Sequence, residues 1–283
     1  MAGSIARRTI QVGHSPDPDD AFMFHGIASG KIPVPADLEI VQVLDDIESL
    51  NRRALDGAIE VSAVSIHAYA YLTDRYALLP CGASMGDGYG PMVVAKRPLG
   101  RDALKSATIA IPGRLTSAAL ALRLALGDVR TEVVRFDQIL ESVRDGRHEA
   151  GLIIHEGQLT YADHGLHRLL DLGEWWRDET GLPLPLGGNA VRKDLGAETI
   201  ARVSALLRAS IEYGLDHREE AITYAMQFGR GLERGRTDRF VGMYVNQWTR
   251  DYGPEGRRAI ASFLDRGADA GILPRRVEVE FTA

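Results

Sequence analysis

The sequence predicts an α/β protein of two lobes with a ligand cleft between them. Strand-like apolar segments alternate with helix-like segments through the first two thirds of the chain, which favours a mostly parallel sheet covered by helices. A glycine-rich break at residues 86–91 divides this alternation into two runs. From Ala197 onward the pattern is almost wholly helical, so we expect this tail to pack back on the first lobe.

The first lobe begins with a short apolar strand that runs into a polar turn. Its predicted elements are a strand at residues 9–13, a helix at 21–29, a strand at 38–44, a helix ending at 55, a strand at 59–64 and a helix starting at 65. Asp19 or Asp20 is expected to cap the first helix, and Asp45 or Asp46 the second, because carboxylates satisfy the free N–H groups of a helix start.

The second lobe repeats this alternation after the glycine-rich break. We predict strands at residues 92–95, 108–111, 132–136 and 150–154, with helices near 102–105, 118–126 and 137–145. The first lobe then comprises residues 1–90 plus 187–283, the second comprises 91–186, and the return crossing lies at 182–188. Two crossings form a hinge, which makes the cleft a natural ligand site.

Composition limits the class of function. The chain of 283 residues has 45% hydrophobic and 25% charged residues, as ordinary globular proteins do. A formal net charge of -6 argues against a nucleic-acid partner. No apolar run approaches the ~18 residues of a membrane span, and the start lacks the apolar stretch of a secretory signal. We therefore expect a cytoplasmic protein without a membrane partner. A single cysteine, Cys81, excludes an internal disulfide.

His155 stands out because it ends an apolar run. The segment at residues 150–154 is typical of a buried parallel strand, so His155 should lie at the carboxyl end, where ligands bind in open sheets. An imidazole suits base catalysis near neutral pH. A structural hydrogen bond made by a loop histidine is the alternative interpretation.

Two predicted helix starts offer polar groups to a ligand. Thr116 and Ser117 open a helix after the turn at residues 112–114, and a helix start attracts anions. One of these hydroxyls could equally serve only as a helix cap. Ser62 and Ser65 occupy a comparable strand-to-helix junction in the first lobe. Two such junctions facing each other would suit a ligand with polar groups at both ends.

The polar turn at residues 14–20 holds one histidine and three aspartates. Carboxylates are ligands for hard divalent cations, but two prolines and helix capping account for this composition. No histidine pair has the spacing of a zinc site, and the sequence has neither a nucleophile elbow nor a dinucleotide fingerprint. We therefore predict no metal, and motif spacing alone assigns no catalytic class.

Five sequence blocks, taken in order, resemble the 1,4-dihydroxy-6-naphthoate synthase family of the futalosine pathway to menaquinone. The resemblance extends from about residue 9 to residue 246. The blocks are Ser15-Pro16-Asp17-Pro18-Asp19-Asp20-Ala21-Phe22, Pro112-Gly113-Arg114-Leu115-Thr116-Ser117-Ala118, Gly151-Leu152-Ile153-Ile154-His155-Glu156, Asp171-Leu172-Gly173-Glu174-Trp175-Trp176 and Thr180-Gly181-Leu182-Pro183-Leu184-Pro185-Leu186-Gly187.

The resemblance implies a periplasmic-binding-protein-like fold of type II used as a cytoplasmic enzyme. It implies a carbon–carbon lyase that converts cyclic dehypoxanthine futalosine, a carboxylated spiro compound, to 1,4-dihydroxy-6-naphthoate without metal or organic cofactor. His155 matches the catalytic base of the family. The substrate contacts fall on the residues that match its binding segments and the adjoining turns. These are Ser15, Asp20, Ser62, Ala63, Val64, Ser65, Arg114, Thr116 and Ser117.

Two departures from the family pattern concern the first lobe. Asp19 and Ala21 stand where many relatives carry Asn and Thr, and Ala63 stands where relatives often carry Lys. Arg114 could supply positive charge from the other lobe instead. The alternatives are a non-catalytic protein that binds a small carboxylate and an enzyme similar to chorismate dehydratase. The histidine at 155 argues against both, because neither typically requires a base at this position.

Overall fold

The strands of the protein form two separate β-sheets. The structure is a computed structural model that describes residues 7–282. Its strands are β1 (Arg8–His14), β2 (Leu38–Leu44), β3 (Val61–Ser65), β4 (Tyr76–Leu78), β5 (Ser84–Gly86), β6 (Met92–Ala95), β7 (Thr108–Ile111), β8 (Arg130–Val133), β9 (Ala150–Ile153), β10 (His167–Asp171) and β11 (Leu184–Arg192). The first sheet has the order β2-β1-β3-β11-β4, with β5 paired to β11, and the second has the order β10-β6-β9-β7-β8.

Helices cover both sheets and make up most of the C-terminal part. They are α1 (Pro18–Ala28), α2 (Ile47–Leu55), α3 (Ile66–Tyr69), α4 (Arg101–Ser106), α5 (Ser117–Leu126), α6 (Ile139–Arg144), α7 (Gly157–Thr160), α8 (Leu172–Thr180), α9 (Ala197–Asp216), α10 (Arg218–Ala225), α11 (Arg234–Tyr244), α12 (Gln247–Arg250) and α13 (Gly253–Asp269). Short 3-10 helices lie at Phe136–Gln138, Tyr161–His164, Lys193–Leu195 and Met226–Phe228.

Both sheets are mixed, whereas mostly parallel sheets were predicted. Strands β2, β1 and β3 are parallel, but β11 runs antiparallel to β3. Strands β9, β7 and β8 are parallel, but β6 runs antiparallel to β9. Both exceptions follow the crossings between the sheets. Met92 at the start of β6 pairs with Ile153 at the end of β9, and Gly187 of β11 pairs with Ser65 at the end of β3. A strand that enters at the carboxyl edge of its neighbours must run back along them.

Most of the predicted elements are confirmed to within a few residues, and β2, β6 and β7 have the predicted bounds. The cap of α2 is Asp46, whose carboxylate accepts hydrogen bonds from the N–H groups of Glu48 and Ser49. The cap predicted for α1 is wrong. Asp17, and not Asp19 or Asp20, occupies the N-cap position, and its side chain makes no capping hydrogen bond. Its carboxylate is engaged elsewhere, as shown below.

Four strands were missed, namely β4, β5, β10 and β11. The first three have three, three and five residues, which is too short to show a clear alternation, and β11 overlaps the segment at 182–188 that was interpreted only as a crossing. The proposed lobe boundaries remain a prediction. The first sheet draws its strands from residues 8–86 and 184–192, and the second from 92–171. Strand β11 thus begins at Leu184, ahead of the predicted boundary at 187.

Helix α9 of the helical tail packs against the first sheet. The apolar positions of α9 lie in one buried cluster with Ile10 and Val12 of β1. These positions are Val203, Leu206, Leu207 and Ile211. No helix within residues 7–282 is long and apolar enough to cross a membrane.

Gly113 lies in the turn before α5, where the second lobe touches α2 of the first. A Cβ at this position would lie 2.2 Å from Oε2 of Glu48 and 2.7 Å from its Cβ. The same oxygen of Glu48 accepts a hydrogen bond from the N–H of Leu115 at 3.0 Å. Glu48 is buried, so it has little room to move away. The absence of a side chain at 113 therefore permits this contact between the lobes.

We expect Gly113→Ala to destabilise the protein by roughly 1–3 kcal/mol, because overpacking displaces buried groups. Gly100→Ala is the matched control, since no atom lies within 4 Å of its added Cβ. This control should change the free energy of unfolding by less than about 0.5 kcal/mol. Chemical denaturation followed by circular dichroism measures both variants. Equal stability of the two would contradict the close contact at Gly113.

Candidate active site

A cavity lies between the two sheets, at the carboxyl ends of β3 and β9 and at the start of α1 and α5. Its empty volume is about 740 Å³, including space open to solvent. The first sheet and its loops contribute polar groups from Ser15, Asp20 and Ser65, and the second contributes Thr116 and His155. The cavity thus lies at the strand ends where the sequence predicts a ligand.

His155 follows β9 directly and reaches across to the first lobe. Its Nδ1 lies 2.9 Å from Oδ2 of Asp17, which stands just before α1. The side chains of His155 and Asp17 are 14% and 3% exposed, so this contact is shielded from water. The ring of Phe136 lies edge-on to the imidazole, with the ring centroids 4.3 Å apart. The predicted histidine is therefore held in place by a carboxylate and an aromatic ring.

The hydrogen bond with Asp17 decides which nitrogen of His155 is free. A carboxylate can only accept, so Nδ1 donates, and in the neutral imidazole the lone pair lies on Nε2. This Nε2 is buried in the wall of the cavity and has no hydrogen-bond partner within residues 7–282. Nε2 is thus the nitrogen of His155 that has no protein partner and whose lone pair can accept a proton.

Three groups compensate the buried charge of Asp17. Its carboxylate contacts His155, accepts a hydrogen bond from the Ser15 hydroxyl and lies 2.9 Å from Nη1 of Arg230. Burial alone would raise the pKa of Asp17, but His155 and Arg230 hold it well below its usual range. Burial alone would lower the pKa of His155, but the charge of Asp17 outweighs this effect and raises it. An ionised carboxylate therefore increases the proton affinity of the imidazole.

Two more carboxyl groups, those of Asp19 and Asp20, line the cavity. Burial and repulsion from neighbouring aspartates raise the pKa of Asp19 well above its ordinary value. Burial raises the pKa of Asp20 to about 7, against the opposing effect of the hydrogen bond that Oδ2 accepts from the Ser15 N–H at 2.7 Å. A protonated carboxyl group can donate a hydrogen bond, so this wall can offer neutral donors to a ligand oxygen.

Thr116 and Ser117 both line the cavity at the start of α5, but their hydroxyl groups are already engaged. The Thr116 hydroxyl accepts a hydrogen bond from the N–H of Ala119 at 3.2 Å and caps the helix. The Ser117 hydroxyl donates to the carbonyl of Leu186 at 2.5 Å and accepts from the N–H of His67 at 3.2 Å. What remains for an anionic ligand is the helix N-terminus itself.

Ala63, Val64 and Ser65, at the carboxyl end of β3, line the opposite wall as predicted. The Ser65 hydroxyl accepts a hydrogen bond from Nδ2 of Asn51 at 3.0 Å, and the Ser65 N–H donates to Oδ1 of the same residue at 2.8 Å. Asn51 thereby fixes the backbone at the point where β3 ends.

The structure does not bring Ser62 and Arg114 into the cavity. The Ser62 hydroxyl donates to the carbonyl of Ala63 at 2.9 Å and lies against Gly13, within the first sheet. The Arg114 side chain is exposed on the surface. Ser62 lies away from the cavity because it faces the interior, and Arg114 does so because a long charged side chain gains hydration outside.

Sequence reasoning missed Asn189, which pairs with Ala63 across β11 and β3 and also lines the cavity. The side chain is buried, and its Nδ2 has no hydrogen-bond partner among the described residues. Gly82, with φ of +84°, makes room for it, because a Cβ there would lie 2.0 Å from Nδ2. No motif marked Asn189. It belongs to strand β11, whose first residues fall in the segment 182–188 that was interpreted only as a crossing.

Three groups at the site could ligate a metal ion. Asp17, His155 and Glu156 each place one ligand atom within 4.8 Å of the others. However, Nη1 of Arg230 lies 2.9 Å from Asp17 and 2.7 Å from Glu156. A guanidinium group thus occupies the position between the carboxylates where a cation would bind. The donor set fits Arg230 better than it fits a metal ion.

Comparison with known proteins identifies the family. The family model described as menaquinone biosynthesis matches residues 10–269. A protein of Thermus thermophilus named 1,4-dihydroxy-6-naphthoate synthase is 42% identical over 93% of this chain and 95% of its own length. A protein of Streptomyces coelicolor with the same name is 37% identical over 94% of this chain and 95% of its own.

Solved structures confirm the predicted fold class. A protein from Archaeoglobus fulgidus is 45% identical over 93% of this chain and 98% of its own, with a TM-score of 0.89. The alkanesulfonate-binding protein of Xanthomonas axonopodis, which is 14% identical over 98% of both chains, reaches a TM-score of 0.73. The fold is therefore that of the periplasmic binding proteins, and the chain belongs to the menaquinone biosynthesis family.

Proposed function

We propose that this protein is a 1,4-dihydroxy-6-naphthoate synthase, a carbon–carbon lyase that acts on cyclic dehypoxanthine futalosine. The single observation that supports this most strongly is the Asp17–His155 pair, which leaves Nε2 of His155 without a protein partner in the cavity wall. The names of the two relatives agree with this activity. A binding protein of this fold would not need an oriented base.

In the proposed reaction, Nε2 of His155 removes the proton of a substrate hydroxyl group. The O–H electron pair forms a new C=O bond, and the adjacent ring carbon–carbon bond breaks in a retro-aldol-like step. Its electrons move toward the conjugated carbonyl and give an enolate. The enolate takes back the proton from His155, the second link of the sugar-derived fragment to the ring system breaks, and this fragment leaves with its new carbonyl group. Loss of a ring proton then yields the aromatic naphthalene diol, so aromatisation drives the cleavage. The proposal requires neither metal nor organic cofactor.

The two walls would hold opposite ends of the substrate. The N-terminus of α5 suits the substrate carboxylate, because its dipole favours negative charge. The amide of Asn189 and the raised-pKa carboxyl groups of Asp19 and Asp20 suit its neutral oxygens. Closed lobes would keep the reacting groups aligned and exclude water. As an enzyme of this biosynthetic pathway, the protein is proposed to act in the cytoplasm.

Incubating the purified protein with cyclic dehypoxanthine futalosine should produce 1,4-dihydroxy-6-naphthoate, detected by chromatography. His155→Asn should lower kcat by about 10²–10⁴-fold, because the base is lost. His167→Gln, at an exposed histidine of the second sheet, is the matched control and should retain full turnover. Near-normal turnover by the His155 variant would refute the proposed base. Tight binding without turnover by the unaltered protein would favour a non-catalytic binding function.

The rate should depend on pH through His155, which must be neutral to accept a proton. Because Asp17 raises its pKa above 6.5, kcat/KM should fall as the pH decreases through a value above 6.5. In Asp17→Asn the carboxylate charge is absent and burial dominates, so this acidic limb should move to lower pH. The maximal rate should also fall, because the imidazole is less firmly oriented. An unchanged acidic limb in the variant would show that Asp17 does not tune the base.

A further inference from the structure

Arg230 has an unusual backbone and an unusual position. It is the only non-glycine residue with positive φ (49°) within residues 7–282, and it stands between Gly229 and Gly231 in the segment before α11. A residue with a Cβ adopts this conformation at a cost, so other contacts must hold it there. Those contacts are made by the guanidinium group.

The guanidinium group connects the helical tail with both lobes. Nη1 lies 2.9 Å from Oδ1 of Asp17 in the first lobe and 2.7 Å from Oε1 of Glu156 after β9. The guanidinium carbon lies over the ring of Phe136, 4.7 Å from its centroid. Phe136 in turn packs edge-on against His155. Each of these three partners is thus either the chain neighbour of His155 or a group in contact with it.

Glu156 and Asp17 would repel each other without this cation. The side chain of Glu156 is 13% exposed, that of Asp17 is 3% exposed, and both carboxylates approach His155 closely enough to share one potential ion site. A positive partner between two carboxylates so close together offsets their mutual repulsion. A bridging arginine provides it in a planar geometry that fixes both groups.

We infer that Arg230 is a positioning residue for the reaction. It holds the Asp17 and Glu156 carboxylates in place beside His155 and so keeps the imidazole oriented and its surroundings balanced in charge. This inference rests on the proposed function of His155 as the base. It assigns a role to the segment before α11, which none of the sequence motifs reaches.

Four charged or titratable groups face His155 from the elements around it. Asp17 and Asp19 come from the start of α1, Glu156 from the end of β9 and Arg230 from the tail. The positive charge of Arg230 lowers the pKa of His155, whereas the negative charge of Glu156 raises it. Removing these charges one at a time should therefore shift the titration of His155 in opposite directions. Loss of packing alone would not produce opposite signs.

The chain offers a matched control in Arg236 of α11. Its guanidinium group contacts the carboxylate of Asp163, so it also links the helical tail to the second lobe. Arg236 and Arg230 both line a second groove, whose wall also includes Phe136 and Glu156. It is not among the groups that act on the pKa of His155. Arg236→Gln thus removes a link between the lobes without altering the surroundings of the base.

The test compares Arg230→Gln, Glu156→Gln and Arg236→Gln in the full chain. His155 is titrated by NMR in the protein without substrate, and the acidic limb of kcat/KM is measured with cyclic dehypoxanthine futalosine. We expect Arg230→Gln to raise the pKa of His155 and the apparent pKa of the acidic limb by at least about half a pH unit. Glu156→Gln should lower both of these pKa values. Arg230→Lys should leave both pKa values closer to those of the unaltered protein than Arg230→Gln does, because lysine retains the positive charge. Arg236→Gln should leave both values unchanged.

A shift of the same sign in the Arg230 and Glu156 variants, or equal behaviour of Arg230→Gln and Arg236→Gln, would overturn the inference. Circular dichroism and thermal melting show whether each variant folds, and Arg230→Lys provides a second folded variant if Arg230→Gln does not. The NMR titration needs no turnover. Failure of His155 as the base would therefore appear in the His155→Asn assay, separately from failure of Arg230 as its positioning residue.

Discussion

The contact between the Asp17 carboxylate and the His155 imidazole is the constraint on which the site depends. Asp17 precedes α1 beside the first sheet and His155 follows β9 of the second, so the contact joins the two sides of the cleft. A carboxylate with 3% side-chain exposure cannot remain ionised without partners, and the Ser15 hydroxyl, His155 and Arg230 supply them. The same interaction therefore links the two sides of the cleft, orients the imidazole of His155 and raises its pKa.

Part of this arrangement could be predicted from sequence because it follows from chain direction. His155 ends an apolar parallel strand, and the position of strand ends in an open sheet is fixed by topology. The starts of α2 and α5 were also predictable, because caps such as Asp46 and Thr116 act within a few residues. The short strands β4, β5 and β10 were not predictable, since pairing with β11 and β6 stabilises them rather than their own pattern.

Asp17 and Arg230 were missed for a different reason, since each looks ordinary in its local sequence. An aspartate before Pro18 at a helix start is typical of a cap, yet the carboxylate makes no capping bond because it binds His155. Arg230 stands 213 residues away from Asp17 in a segment between helices. Contacts over such separations depend on the assembled fold, and no local pattern encodes them. Conversely, the predicted residue Ser62 lies within the sheet because it packs against Gly13.

The wall around Ala63 is where the family resemblance led us to expect a lysine. A lysine there would present a charged ammonium to the substrate, whereas here the neighbouring side chain across the strand pair is the neutral amide of Asn189. The carboxyl groups of Asp19 and Asp20, whose pKa values are raised by burial, add groups to the same side that can donate a hydrogen bond when protonated. A wall of this kind recognises oxygen atoms by hydrogen bonds and gives a carboxylate no counter-charge. For the proposed substrate, the carboxylate is therefore better placed against the N-terminus of α5, across the cleft from this wall.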